Sequence, residues 1–246
     1  MPCADGSVRL SVSGKEDHMD LSGVGVWSPH LRYGDPAQSA EAAAELEDLG
    51  FILGIGCSRA PLIDSKEPGR YRKPLAATRS FLDALDAAEQ PVPVENRVLA
   101  ALGPKMLELS ATRTRGAHPY LFTPDHTRQA REVLGDGPLL LPEQTVLLTE
   151  NRAEARAIGT DWLRAYLALP NYANNFLRSG FTADDLSSVS DRLFDAIIAW
   201  GDEETVLRRV NEHRAAGADH VCVQVLTTDP REFPREQWRR LAAALG

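Results

Sequence analysis

From Leu21 onward, short β-branched runs alternate with longer amphipathic stretches, the pattern of strand-helix-strand units feeding a parallel sheet. Strands are predicted at Gly23 to Trp27, Phe51 to Ile55, Arg97 to Ala101, Ala117 to Phe122, Thr145 to Leu148 and His220 to Leu226. An alanine-rich helix over Asp35 to Leu49 passes through the single residue Gly50 into the strand at Phe51. That joint is sound locally, because glycine after a helix takes the left-handed conformation that ends it. Thr123-Pro124-Asp125 supplies a capping hydroxyl, a proline in the first turn and an early acid, and Leu134-Gly135 closes the same helix. Gly103-Pro104-Lys105 opens another at the carboxyl end of the Arg97 strand, with Met106, Leu107 and Leu109 facing inward and Arg113 and Arg115 outward. Between Thr149 and Gly201 a helical insertion breaks this rhythm of short connections; its Trp162, Tyr166, Tyr172, Phe176 and Trp200 suit either a lid over a site or extra core. Asp202 to Ala216 is a capped helix leading through Gly217 to the last strand.

With 27 Lys plus Arg against 35 Asp plus Glu, the formal charge is -8, which argues against a nucleic-acid partner, since phosphate backbones are held by basic stripes. The short basic runs Arg113-Thr-Arg115 and Arg239-Arg240 read as solvated helix faces. Three cysteines, Cys3, Cys57 and Cys222, lack C-x-x-C spacing and suit a reducing, cytoplasmic compartment. No apolar run approaches the roughly 18 residues of a membrane span. Residues 1–18 hold no apolar core for a signal peptide and read as a disordered leader, with Met19 as an alternative start and 19–246 as one domain.

Two glycine-rich turns fall where strands give way to helices, at Gly54-Ile-Gly56-Cys57-Ser58 and Ala101-Leu-Gly103-Pro104-Lys105. In a parallel barrel both lie on the carboxyl face, where ligands bind. The second is the better phosphate site, because a helix start offers free amides and a positive dipole end to which Lys105 adds charge; helix packing alone is the competing reading. Gly54-Ile-Gly56 lacks the third glycine of a dinucleotide fingerprint. Gly56-Cys57-Ser58-Arg59-Ala60 approaches the G-x-S-x-G elbow of serine hydrolases, but Pro61 and a loop expected over Asp64 to Gly69 argue against the helix that elbow requires. The six histidines form no H-x-x-x-H or H-E-x-x-H metal pattern. His126 and His213 are expected on helix surfaces, whereas His30, past the first strand, and His118, inside a strand beside Pro119-Tyr120, are placed to reach the carboxyl face.

These segments resemble the luciferase-like monooxygenase superfamily, and more closely its actinobacterial branch dependent on the deazaflavin coenzyme F420. The likeness is carried by Gly23-Val-Gly-Val-Trp27, Gly54-Ile-Gly-Cys-Ser-Arg-Ala-Pro-Leu-Ile-Asp64 and Pro68-Gly-Arg-Tyr-Arg-Lys-Pro74. It continues through Ala101-Leu-Gly-Pro-Lys-Met-Leu-Glu-Leu109, Gly116-Ala-His-Pro-Tyr120, Leu169-Pro-Asn-Tyr172 and Gly217-Ala-Asp-His220. The resemblance implies an α/β fold of the (β/α) TIM-barrel type and hydride transfer from reduced F420, or a flavin such as FMN, to a small organic substrate. On that map Gly103, Pro104 and Lys105 serve the coenzyme phosphate, Trp27 stands at the mouth, and Gly56, Cys57 and Ser58 line the ring side. Cys57, His30 and His118 are the candidate acid-base residues, Cys57 standing where many deazaflavin relatives place an acid.

The family pattern carries a second and third strand-helix unit between Gly50 and Phe51, and this chain has none. The barrel is therefore expected to be shortened to about six strands, with the helical insertion after the penultimate one. Activity is expected to be impaired, and the alternative is a noncatalytic flavin-binding or dimer-forming protein of the same fold. Uncovered strand edges left by the missing units predict a homodimer.

Overall fold

The computed structural model describes residues 52–229 and 234–245. Its first half runs β1 (Leu53–Ile55), α1 (Ala60–Asp64), α2 (Pro74–Asp86), β2 (Arg97–Leu99), α3 (Pro104–Arg113), β3 (Gly116–Ala117), α4 (Pro124–Leu134), β4 (Leu139–Leu140) and β5 (Glu143–Leu147). Four helices follow, α5 (Arg152–Leu167), α6 (Pro170–Arg178), α7 (Ala183–Ser188) and α8 (Asp191–Ile197). The chain then returns through β6 (Ile198–Trp200), α9 (Glu203–Ala215), β7 (Cys222–Val225) and α10 (Arg235–Leu245). The strand expected at Gly23 to Trp27, the helix over Asp35 to Leu49 and the Gly50 joint lie outside the described residues.

All strand pairs are parallel: β1-β2-β3-β4 in one ladder, and β5 between β6 and β7 in another. The two ladders are joined, because β4 and β5 are a single strand interrupted at Leu141-Pro142. Past that break the β3 edge continues, with the Leu141 amide donating to the Ala117 carbonyl (2.9 Å) and the Glu143 amide to that of Pro119 (2.8 Å). Across the other edge, the Asp219 amide donates to the Leu140 carbonyl (3.0 Å) and the Cys222 amide to that of Pro142 (2.9 Å). The described barrel strands thus run β1, β2, β3, β4-β5, β7 in chain order, while β6 adds to the far end of β5. Gly116 permits the tightest contact, since a Cβ there would stand 2.0 Å from the Leu139 carbonyl oxygen.

Strand alternation sorts the side chains into two faces. Ile55 and Leu99 pack outward with Leu82, Leu85 and Leu109 of α2 and α3. Ala117 and Leu140 pack outward with Leu107, Ala130 and Leu134. Val146, Val223 and Val225 pack with Val206 and Val210 of α9 and Leu241 of α10. The insertion makes its own core, in which Leu163, Phe176, Leu193 and Phe194 close over Leu121 and Leu147. At the amino end of the sheet Asp86 accepts from both Arg97 (2.5 Å) and Arg113 (2.7 Å), which holds its carboxyl below the usual carboxylate range. Arg113 is therefore a structural ion-pair donor and not simply part of a solvated face.

Several expectations are corrected. The insertion ends in a strand, β6, whose Ile198 and Ala199 are buried against α9 and the insertion core. The third strand stops at Ala117 instead of running to Phe122, because Pro119 has no amide and Leu121 turns into the left-handed region (φ 58°). A short helix, α1, follows Ser58 although Pro61 was read as arguing against one; Pro61 sits in its first turn, where a missing amide goes unnoticed, and the expected loop follows α1 over residues 65–69. His126 and His213 are buried, not on the surface. His213 links three elements: its Nε2 donates to Gln144 Oε1 of β5 (3.0 Å), and its Nδ1 meets the Thr127 hydroxyl of α4 (2.8 Å).

Burial, aided by Arg209 and His126, pushes His213 down to about 3, and burial likewise pushes His126 down to about 4. An unfolded histidine titrates near 6.5, so below that pH the unfolded chain binds protons that the folded protein refuses. This part of the stability is complete above about pH 6.5 and is lost as pH falls toward the folded values, by up to about 1.4 kcal/mol per pH unit and histidine. We expect the urea midpoint to drop between pH 7 and pH 5, and His213→Gln to flatten that drop; an equal drop in both proteins would place the acid sensitivity elsewhere.

Candidate active site

Register partners in a parallel sheet share a facing, so the residues opposite the helix-packed set line the barrel interior. Gly56, Ala100, His118 and Leu141 form one level of that interior, one step beyond the outward-facing Ile55, Leu99, Ala117 and Leu140. Glu143 pairs with Cys222, and Thr145 with Gln224, at the next two levels toward the carboxyl ends. The interior is therefore polar where the outer face is aliphatic. His118 donates from Nδ1 to the Leu141 carbonyl (2.7 Å), which leaves Nε2 as its unprotonated nitrogen, and burial lowers its proton affinity. His220 stands close enough for the two rings to feel each other's charge.

Three tyrosines roof these levels. The Tyr120 hydroxyl donates to Gln224 Oε1 (2.7 Å) and lies 3.3 Å from that of Tyr166 in α5. Tyr172 of α6 meets Tyr166 edge-on, with ring centroids 5.2 Å apart. Burial raises both Tyr120 and Tyr172 well above the ordinary phenol range, so both are neutral donors at physiological pH. The helical insertion thus contributes side chains to the mouth itself. In the turn after β1, within electrostatic range of Tyr172, Cys57 Sγ lies 3.7 Å from the Tyr71 hydroxyl, which also reaches the Ser58 carbonyl (3.3 Å). Ser58 takes a left-handed backbone (φ 60°), so the turn after β1 is strained as well as glycine-rich.

The second glycine turn is a cationic cradle. Gly103 caps α3, Pro104 opens it, and the first amide bond back to Gly103 comes from Met106 (3.0 Å), leaving the amides of Gly103 and Lys105 ahead of the helical ladder. Arg178, at the end of α6, brings Nη2 within 3.6 Å of where a Cβ on Gly103 would stand, and Asn175 Oδ1 holds it at 3.0 Å. Nearby, His126 accepts the Thr123 amide at Nδ1 (3.1 Å), which puts its proton on Nε2; that nitrogen is buried without a partner among the described residues. A helix start with Lys105 in its first turn and the Arg178 guanidinium beside Gly103 suits a phosphate group.

Of the residues expected at the site, Gly56, Cys57, Ser58, His118, Gly103, Pro104 and Lys105 all follow the carboxyl ends of β1, β2 and β3, on one side of the sheet. Trp27 and His30 lie outside the described residues. Sequence reasoning missed Glu143, Tyr120 and Arg178, whereas Tyr172 was already named among the insertion residues suited to a lid or to extra core. An acid directly after Pro142, between the apolar runs Leu139–Leu141 and Val146–Leu148, was the signal for Glu143; nothing local marks Arg178, which reaches Gly103 only through the insertion's fold.

The family model described as luciferase-like monooxygenase matches residues 23–220. No functionally curated protein matches the chain. Among solved structures, an F420-dependent secondary alcohol dehydrogenase in complex with an F420-acetone adduct superposes with TM-score 0.57 at 13% identity, covering 83% of this chain and 73% of that one. The oxygenating constituent of 3,6-diketocamphane monooxygenase from Pseudomonas putida, in complex with FMN, gives TM-score 0.58 at 17% identity, over 86% and 74% of the two chains. The coenzyme F420-dependent tetrahydromethanopterin reductase from Methanopyrus kandleri gives 0.51 at 15%, over 87% and 77%. At such identities the likeness establishes the fold, an α/β architecture of the TIM-barrel type. The chain spans about three quarters of each of these structures.

The hydroxyl of Tyr120 links Tyr166 of the insertion to Gln224 of β7. Tyr120→Phe is expected to lower stability by about 1 kcal/mol, the net worth of one such hydrogen bond, in urea denaturation at neutral pH. An unchanged midpoint would mean that water replaces the hydroxyl without loss.

Proposed function

Because this chain belongs to the luciferase-like monooxygenase family, we propose that it binds coenzyme F420, or FMN in its place, at the carboxyl face and reduces a small organic substrate there. The observation that carries this reading is the helix start at Gly103, where the Arg178 guanidinium stands beside the turn and Lys105 follows in the first turn of α3. There the amides of Gly103 and Lys105 and the two side-chain cations take the phosphate, while Pro104 fixes the turn. Gly56 lets the ring side approach the backbone, and Cys57 and Ser58 border it. A reduced deazaflavin supplies a hydride when bound; the protein supplies position, exclusion of water and a proton. His118 holds its Nδ1 proton on Leu141 and presents Nε2 as an acceptor, with His30 and Cys57 as the other acid-base candidates. The insertion tyrosines shield the mouth from solvent. Residues 19–246 act as one domain, working as a homodimer in the cytoplasm; light scattering at micromolar concentration tests the assembly.

Replacing Lys105 with Glu, or Arg178 with Ala, should weaken coenzyme binding by about 1 to 3 kcal/mol each, as expected for loss of a charge-assisted contact. Titration of both variants with F420 and FMN checks this, and unchanged affinity would move the phosphate elsewhere. Oxidation of reduced F420 in the presence of aldehydes, ketones and enones is expected to be slower than with a full-length homologue, since about 1 Å of misplacement costs roughly a hundredfold in rate. Binding without any turnover would instead favour a noncatalytic flavin-binding protein of the same fold.

A further inference from the structure

Glu143 is a carboxyl group in an unusual position. It faces the barrel interior from β5, is 3% exposed, and among the described residues is held by two hydrogen bonds, both from neutral donors. The Thr145 hydroxyl donates to Oε1 at 2.5 Å, and the Leu121 amide, presented by a left-handed backbone, donates to Oε2 at 3.1 Å. A buried carboxylate without a cation beside it is costly, and the usual outcome is that it takes up a proton. Burial accordingly raises Glu143 to about 7, against the two hydrogen bonds that favour the charged form. The ionisable groups that sense it are Tyr120 beyond β3, Tyr172 of α6 and Cys222 of β7, the last pushed up to about 11 by burial with Glu143 contributing. Each of these is neutral near pH 7, while Arg59, which Tyr172 also senses, stays cationic; among the described groups here, Glu143 is the one whose charge changes as pH crosses neutrality.

We propose that Glu143 is a positioning residue that gates the mouth by its charge: the neutral carboxyl admits an anionic ligand, and the carboxylate repels it. The geometry is a four-residue inward patch. Glu143 and Thr145 stand beside Cys222 and Gln224 on adjacent parallel strands, and Gln224 holds Tyr120, so the carboxyl lies directly under the aromatic roof. By linkage, an anion bound above this patch raises the proton affinity of Glu143, and binding near neutral pH takes up a proton. The proposal rests on the coenzyme reading above, both candidate coenzymes being phosphate-bearing anions.

The test is calorimetric titration with F420 and with FMN at several pH values across neutrality, in buffers of different ionisation enthalpy, for wild type, Glu143→Gln and Thr145→Val. Wild-type affinity is expected to fall about 5- to 10-fold as Glu143 ionises, with proton uptake on binding. Glu143→Gln should remove that component and leave only the ionisation of the coenzyme itself. Thr145→Val deletes a hydrogen bond that favours the carboxylate, so it should move the break to higher pH; it decides the matter if Glu143→Gln does not fold. A purely structural Glu143 would change the melting temperature in the variants but not the pH dependence of binding, and an identical pH dependence in wild type and Glu143→Gln, or an unmoved break in Thr145→Val, overturns the proposal. Binding of neither coenzyme by wild type overturns the functional reading first, and this inference with it.

Discussion

The strand from Leu139 to Leu147 must satisfy its backbone on both edges at once, and that requirement organises the molecule. One edge belongs to β3 at its start and to β6 at its end; the other belongs to β7. A buried amide or carbonyl left without a partner costs about as much as a lost hydrogen bond, so the register on each edge is fixed. Pro142, in the middle, has no amide to satisfy and donates nothing, yet its carbonyl still receives Cys222. Because register is fixed, so is facing, and the sequence Glu143-Gln144-Thr145-Val146 deals its side chains alternately to the interior and to α9.

That alternation separates two polar environments only one residue apart. Outward, Gln144 joins His213 and the Ile197 carbonyl in a closed network in which every member is neutral, which ties sheet to helix without burying a charge. Inward, Glu143 has donors but, among the described residues, no ion-pair partner, and its proton affinity moves up where that of His213 moves down. The outer network holds the fold, while the inner carboxyl lies beneath Tyr120, whose hydroxyl is held by Gln224.

How much of this was legible in the sequence depends on the range of the forces involved. Thr123-Pro124-Asp125 and Leu134-Gly135 bound α4 as read, because capping is decided within a turn; the Thr123 hydroxyl accepts the His126 amide, and Gly135 takes φ 73°. Gly103-Pro104-Lys105 likewise opens α3 where expected. Ile198–Trp200 was hidden, since three residues carry no period, and only the free edge of β5 makes them a strand. His126 and His213 sit on helical faces that look polar in isolation; their burial comes from Phe176, Thr127 and Gln144, all distant in sequence. The cradle was half visible: its glycine turn is local, and its guanidinium arrives from a helix about 75 residues later, which no spacing rule reaches.

The left-handed backbone at Leu121 has a consequence for how this sequence can change. Its φ of 58° costs a leucine about 1 to 2 kcal/mol, which a glycine would recover. Yet the same side chain is 1% exposed and fills the insertion core beside Leu147 and Phe176, where truncating a leucine removes about 2 to 5 kcal/mol. Asparagine, the other residue at ease in that conformation, would bring an amide into an apolar cluster. No single substitution therefore improves the position: relief of the backbone empties the core, and the strained turn is a local optimum that only coordinated changes in two layers of the protein can leave.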